Sequence, residues 1–317
     1  MISRSVGIAV AIIGSALPLT AQSMPPYLAV NPVVTSRSGA LFQPYVDPDP
    51  VWQVRLLLDY ASAIEYNDQP DGVFILDSEL LRLDATVTRN IGRGFVGASA
   101  SFNGAYDGFM DGPLDWYHNL TGLRVGAREI RPRNEFAYQL ELPGAPPVVR
   151  GPSSGFLGDL RLFAGHRHTR HWQSAIAVTL PTTTGPDGYG RGVVSVSGVS
   201  TVRAPIDGRL TFEGSAGLGF TPRHGDLELL QRTVFASASG GFRYRFWGRQ
   251  ALFINLFYQS ANYEGSGIRS LDHRELTLDY GFLLKARLGP EWFLGMTEDI
   301  EPGGPAIDLS FRIGARW

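Results

Sequence analysis

Six histidines and no cysteine are the side chains from which acid–base or metal chemistry would have to be built in this chain of 317 residues. Without cysteine there is no disulfide, no thiolate nucleophile and no cysteine-ligated zinc or iron–sulfur site. Three of the histidines stand together in Gly165-His166-Arg167-His168-Thr169-Arg170-His171-Trp172. On an extended strand His166 and His168 share a face, as two metal ligands would. No acidic third ligand stands beside them, so the segment reads as a polar turn. His118 is better placed for chemistry because Asp115, Trp116 and Tyr117 precede it, yet no serine accompanies it in the pattern of an acyl-hydrolysing pair. No catalytic residue, cofactor or metal is therefore expected.

The elements that would position such residues follow from composition. Only 18% of residues are charged, 11% are aromatic, and the chain holds 38 glycines and 21 prolines. A single lysine, Lys285, stands among 28 basic residues, which disfavours the long surface helices of an ordinary α/β enzyme. The formal charge of −2, with arginines spread singly, leaves no field for a phosphate backbone, so a nucleic-acid partner is not expected. Arg4 precedes an apolar run from Val6 to Leu19, closed by small residues ending at Ala21. This is the pattern of a secretory signal peptide over 1–21; the run is too short, and too interrupted by Gly14, Ser15 and Pro18, for a membrane-spanning helix. No helix-length apolar run follows, so a membrane crossing must be made by strands, in a closed barrel.

From Trp52 onward the hydrophobic period is two. In Arg209 to Phe220, Leu210, Phe212, Ala216, Leu218 and Phe220 share one face, while Arg209, Thr211, Glu213, Ser215, Gly217 and Gly219 share the other. The same pattern marks twelve segments, at 52–65, 79–90, 95–106, 158–168, 172–181, 192–203, 209–220, 232–246, 251–262, 274–287, 291–299 and 306–317. Connections at 91–94, 169–171, 204–208, 247–250 and 288–290 are tight. Those at 66–78, 107–157, 182–191, 221–231 and 263–273 are longer, and only the link 300–305 breaks the alternation. Short turns at one end and long loops at the other predict an all-β fold: a transmembrane antiparallel up-and-down β-barrel of about 12 strands, within a range of ten to fourteen, over 52–317. An even count leaves both termini at the short-turn end. Residues 22–51, rich in proline and without sustained period, form an irregular N-terminal arm or plug.

Trp172, Tyr244, Phe246, Trp247, Trp292 and Trp317 cluster at strand ends beside the short turns, where a membrane interface holds indole and phenol rings. The chain ends on Trp317 after an alternating strand, which resembles the signal that the barrel assembly machinery reads in outer-membrane proteins. Asp107-Gly108-Phe109-Met110-Asp111 with Trp116, His118, Gly122 and Leu123, then Gly155-Phe156-Leu157-Gly158-Asp159-Leu160, Leu180-Pro181-Thr182, Glu298-Asp299-Ile300 and the early Asn31-Pro32 together resemble the domain of unknown function 3187 family. The resemblance spans most of the chain beyond the leader, departing at Thr183 and Thr184 where glycine is more usual. It implies an exported, barrel-like protein of Gram-negative bacteria, with no activity and no site residue carried over.

Strand parity turns Arg55, Asp59, Arg82, Asp84, Asp159, Arg161, Glu213, Arg243, Arg245, Asp279, Lys285, Glu298, Asp308 and Arg312 inward. Twelve strands about 4.8 Å apart and tilted about 40° enclose a ring roughly 24 Å across, which side chains and an arm can fill. Tyr27, Leu28, Val30, Val33, Val34, Leu41, Phe42 and Tyr45 make the arm too hydrophobic for a free tail; it is expected to enter the lumen, with Ser36, Arg37 and Ser38 meeting Asp84, Glu213 and Asp308. A linker to a periplasmic partner is the alternative. Loop 107–157, with Asp107, Phe109, Asp111, Trp116 and His118 as candidates, is expected to fold as a short helix or hairpin over or into the outer mouth. The expected function is a pore or a small-solute binding or transport barrel in the outer membrane, with a partly occluded lumen and bounded by lipid. An outer-membrane lipid-modifying enzyme and a structural or surface-interaction barrel are the alternatives.

Overall fold

The computed structural model describes residues 23–27, 31–69, 72–122, 126–225, 227–286, 288–301 and 308–317. The expected leader 1–21, together with Leu28, Val30 and Leu123, lies outside the described residues. The strands in chain order are β1 (Trp52–Gln69), β2 (Gly72–Ile91), β3 (Gly94–Tyr106), β4 (Ala137–Glu141), β5 (Val148–Val149), β6 (Ser153–Leu157), β7 (Leu160–Arg167), β8 (Trp172–Leu180), β9 (Ser195–Pro205), β10 (Leu210–Phe220), β11 (Val234–Trp247), β12 (Gln250–Gln259), β13 (Glu275–Lys285), β14 (Glu291–Asp299) and β15 (Leu309–Arg316). Strands β1–β3 and β7–β15 form a ring in which each pairs antiparallel with the next, and β1 pairs with β15, Arg55 opposite Arg316 and Ser62 opposite Leu309. The fold is a closed antiparallel barrel of twelve strands, the count the period-two segments imply. Closure gives each of the twelve ring strands a backbone partner on both sides.

Alternation sets the two faces. On β1 and β15, Leu57, Asp59 and Arg312 are buried, while Leu56, Phe311 and Ile313 are exposed; on β2, Asp84 and Thr86 are buried and Leu83 and Val87 exposed. The outside of the barrel is therefore an apolar wall, while the inside carries the charged and polar groups together with apolar ones that pack on the arm. Trp52, Trp172, Tyr244, Phe246, Trp247 and Trp292 stand exposed at the short-turn ends of their strands.

Sequence expectation and structure differ at the connection between β1 and β2 and within the arm. The connection at 66–78 is not a long loop, since β1 runs to Gln69 and β2 resumes at Gly72. Their extension is covered by β4, which pairs with Val73 to Asp77, and the hidden Phe74 and Leu76 are fully buried; the polar run Asn67-Asp68-Gln69-Pro70-Asp71 masks this hairpin in the sequence. The expected segment 158–168 is β7, and β6 just before it extends the pairing with β3 across a bend at Gly158 and Asp159. The region 107–157 folds, as expected of it, and holds helices, β4, β5 and β6. The arm is not wholly irregular. It contains one helical turn, α1 (Pro32–Thr35), with proline in the first turn and the Asn31 side chain accepting from the Val33 N–H at 2.9 Å.

The core lies inside the ring, around the arm. Leu41 and Val46 pack on Phe95, Phe163, Ala175, Ala177 and Val199; Met24 packs on Leu57, Phe253, Leu283 and Phe293. At the long-loop end Val33 joins Phe74, Leu76, Tyr138, Tyr189, Tyr263 and Ile268, so that loops from across the barrel meet over the lumen. Each such fully buried side chain stabilises by about 1.5–3 kcal/mol, which explains how a chain segment with a single helical turn is held.

Candidate functional site

The arm meets the wall through three groups of polar contacts. Nearest the short turns, Asp47 pairs with Arg203 and with Arg316 at 3.5 Å, and Arg203 also reaches Glu213 at 3.0 Å and lies over the Tyr45 ring at 4.3 Å. The Tyr45 N–H donates to Glu213 at 2.9 Å, and Arg167 donates to the carbonyls of Val46 and Asp47 at 3.1 and 3.3 Å. Midway, Arg312 bonds Asp59 and Asp279 at 2.6 Å each and the Pro26 carbonyl at 2.6 Å, while Tyr27 donates to Glu275 and stacks on Phe257. Toward the long loops, Arg37 donates to the carbonyls of Thr221, Pro222 and Arg232, Ser38 donates to Gln259 at 2.7 Å, and Arg191 donates to the Ser38 carbonyl at 2.7 Å. Arg37 thus caps backbone carbonyls where β10 and β11 end. It does not meet the carboxylates expected for it; the arm is held instead by its own Asp47 on Arg203 and Arg316, and by Tyr45 and Tyr27 on Glu213 and Glu275 of the wall.

A cavity of about 90 Å³ lies between the arm and the wall of β2, β3, β7 and β8. At about 10–15 Å³ per water centre it holds several waters or one small molecule. Arg82, Asp84, Asp159, Arg161 and Arg191 line it, and two of its three arginines are paired: Arg82 with Asp84 at 3.7 Å and Arg191 with Asp159 at 3.3 Å. Arg161 differs. Its Nε donates to Thr179 at 3.2 Å, and its two terminal nitrogens have no protein hydrogen-bond partner. Below, the short-turn end opens on a vestibule of about 700 Å³ lined by Arg93, Arg167, Arg170, Arg203 and Arg243 against Asp47, Asp49 and Asp207. Both spaces carry more guanidinium than carboxylate.

The remaining candidates sort by burial. Asp59, Asp84, Glu213, Asp279 and Arg312 are buried on the inner face, and Arg55 reaches Thr86 at 3.1 Å there. Arg243 donates to Thr211 at 2.9 Å in the vestibule, and Lys285 sits half-buried at the short-turn end of β13, its N–H donating to Gln250. Arg245 is a correction: beside the register shift between Arg245 and Trp247 it is exposed and donates to the Gly208 carbonyl at the rim. Glu298 is another, sharing the outward parity of Trp292 and Leu294. Asp308 is a third. It stands just before β15 and meets His118 at 3.3 Å and Arg128 at 2.7 Å, away from the lumen. Burial raises its carboxyl, but the hydrogen bond from His118 and the Arg128 charge outweigh that and hold it below the ordinary carboxylate range. Trp317 exchanges backbone hydrogen bonds with Val54, at 2.9 and 3.3 Å, closing the ring. Sequence reasoning missed Asp47, Arg167, Arg191 and Arg203. Arg203 alternates with Val202 on a strand and was legible; Asp47 and Arg191 lie in irregular chain with no period to read.

The loop candidates separate. Asp107 ends β3's excursion, and helices α2 (Asp111–Thr121) and α3 (Gly126–Ile130) follow. Asp111 pairs with Arg128 at 2.6 Å and accepts from the Asn134 N–H at 2.6 Å, whereas Phe109 and Trp116 are exposed. The histidines of the 166–171 segment stay local: His168 meets Ser174 at 2.7 Å and its ring lies 4.1 Å from that of Trp172.

By sequence, no family model and no curated protein matches the chain. Among solved structures, an outer-membrane channel from Pseudomonas putida F1 superimposes with a TM-score of 0.54 at 12% identity, over 86% of this chain and 99% of that one. The NanC porin gives 0.45 at 8% identity over 83% and 98%, and a FadL homologue of Pseudomonas aeruginosa gives 0.41 at 10% over 92% and 99%. At these identities the likeness is one of fold, and the fold is that of outer-membrane β-barrels.

Proposed function

We propose that the protein is an outer-membrane barrel that admits a small anionic solute to a lumen narrowed by its own N-terminal arm. The observation that carries this reading is the Arg161 guanidinium, which lines the cavity beside the arm and whose terminal nitrogens have no protein hydrogen-bond partner. In a confined, poorly hydrated space an unpaired guanidinium favours a planar anion such as a carboxylate, which it can bind through two parallel hydrogen bonds. The arginine-rich vestibule raises the local anion concentration at the short-turn end of the barrel. The likeness in fold to the Pseudomonas putida channel supports a pore, and the resemblance to the domain of unknown function 3187 family points to the same compartment. In this reading the leader 1–21 is cleaved after Ala21 on export, the long loops face outward, and the barrel assembly machinery engages the last strand through Trp317.

The test is conductance in planar bilayers of three proteins: the mature chain, the chain lacking residues 24–48, and Arg161→Gln. The mature chain is expected to conduct weakly with preference for anions. Deleting the arm should raise single-channel conductance, and Arg161→Gln should lower the anion-to-cation permeability ratio. Unchanged conductance in a heat-modifiable, arm-deleted barrel overturns the role of the arm, and an unchanged ratio overturns that of Arg161.

A further inference from the structure

The outer wall carries a polar patch that a lipid-facing strand face should not. On β1, Ala61 and Ala63 pack into the lumen core, so Tyr60 and Ser62 face outward. Glu79 stands opposite Ser62 on β2 and Leu309 opposite it on β15, with Asp77 two residues from Glu79. An uncovered outward row would be exposed, yet Ser62, Glu79, Asp77 and Leu309 are only 3%, 2%, 5% and 1% exposed.

What covers them is α2. The chain leaves β3 over Glu79 at Gly108, whose φ of 64° and lack of a side chain allow that crossing. Phe109 then stacks on Tyr60, the Met110 N–H donates to Glu79, and Met110 and Leu114 pack on Leu309 beside Tyr60 and Met296. One turn on, His118 meets Asp308. From α3 and the residue after it, Arg128 bonds Asp308, Asp111 and Ser62, and Arg131 bonds Asp77 at 3.0 Å. The helix therefore does not cover or enter the mouth; of the region 107–157 it is Tyr138, Leu140 and Val148 of β4 and β5 that pack with Val33 of the arm there. The helix lies across the outside of β1, β2, β14 and β15.

The faces of α2 are the reverse of those of a soluble surface helix. Leu114 and His118, four apart, are buried against the wall at 1% and 9% exposure; Trp116 and Leu120, also four apart, point away at 67% and 70%. Phe109 and Ile130 extend this apolar outer face. Beside it, and continuous with it, run the exposed apolar residues of the same strands: Phe311, Ile313 and Leu294.

We infer that α2 is a lateral strap lying at the outer border of the lipid-facing band, and that acyl chains of the outer leaflet cover Phe109, Trp116 and Leu120. The continuity of this face with the apolar wall names lipid as the occupant, and an indole near the end of the apolar band is where a membrane interface places it. The buried ion network holds the strap to the wall, satisfying polar groups that hydrocarbon could not. The inference rests on the outer-membrane reading.

Because the chain has no cysteine, single-cysteine variants label cleanly. Leu120→Cys and, on the wall, Ile254→Cys would carry an environment-sensitive fluorophore, with Leu229→Cys in an exposed loop as the aqueous reference. Each is reconstituted in phosphatidylethanolamine and phosphatidylglycerol vesicles with nitroxide on the acyl chains, and separately exposed to iodide. The expected result is loss of fluorescence to the nitroxide lipid at both Leu120→Cys and Ile254→Cys, with iodide quenching confined to Leu229→Cys. Lipid quenching at Ile254→Cys alone overturns the strap and leaves the barrel in the membrane. Shielding of Leu120→Cys from both quenchers indicates a protein partner and overturns it too. Iodide quenching of all three overturns the membrane reading itself.

Discussion

Arg312, on the last strand, donates a 2.6 Å hydrogen bond to the carbonyl of Pro26, in the first described stretch of the arm. The same guanidinium holds Asp59 of β1 and Asp279 of β13, so one side chain joins the arm to three strands on both sides of the closing seam. All three charged groups are buried.

Removing the cation alone would leave two carboxylates buried and unpaired, a change that typically costs about 3–5 kcal/mol. Arg312→Ala is therefore expected to lower barrel stability by that order, read as a fall in the urea midpoint of the refolded protein. An unchanged midpoint would mean that the carboxylates find water or another partner.

Backbone proximity gives a gentler way to move the arm. A Cβ built on Gly219 would stand 2.1 Å from the Gly39 carbonyl oxygen, and that neighbour is backbone and cannot rotate away. Gly219→Ala should displace the arm at that point while the ring stays closed. The check is faster protease cleavage within residues 31–50, with heat-modifiable migration in detergent gels retained.

The strap should be acid-sensitive in a defined direction. With the Asp308 carboxyl held below its ordinary range, its contribution is complete above the unfolded value of about 3.9 and is lost as pH falls through the lower folded value. A fluorophore at Leu120→Cys should keep its lipid quenching at about pH 5 and lose it below about pH 4. Release beginning in the neutral range would assign control to another group.

Trp317 joins β1 through backbone hydrogen bonds with Val54, so Trp317→Ala leaves the seam bonds in place. Its expected effect falls on assembly: less heat-modifiable protein in cells, with export unchanged. Equal amounts in the two strains would remove the assembly role from this side chain.

The barrel was legible because strand alternation is a local property. Each outward Leu, Val or Phe declares its face within two residues, and twelve such segments with turns of alternating length imply a ring. The hairpin at Gln69 and Gly72 was not legible, because its burial comes from β4, more than sixty residues on from Gln69 in sequence. Ser62 and Glu79 read as faults in an apolar face until α2 covers them. Asp308 has the parity of a lumen residue, yet it leaves the strand for His118 and Arg128. Sequence thus determined the periodicity, and with it the closed sheet and its two faces. Tertiary structure alone decided which polar groups meet, because burial of a charge is settled by whatever distant segment arrives to pair with it.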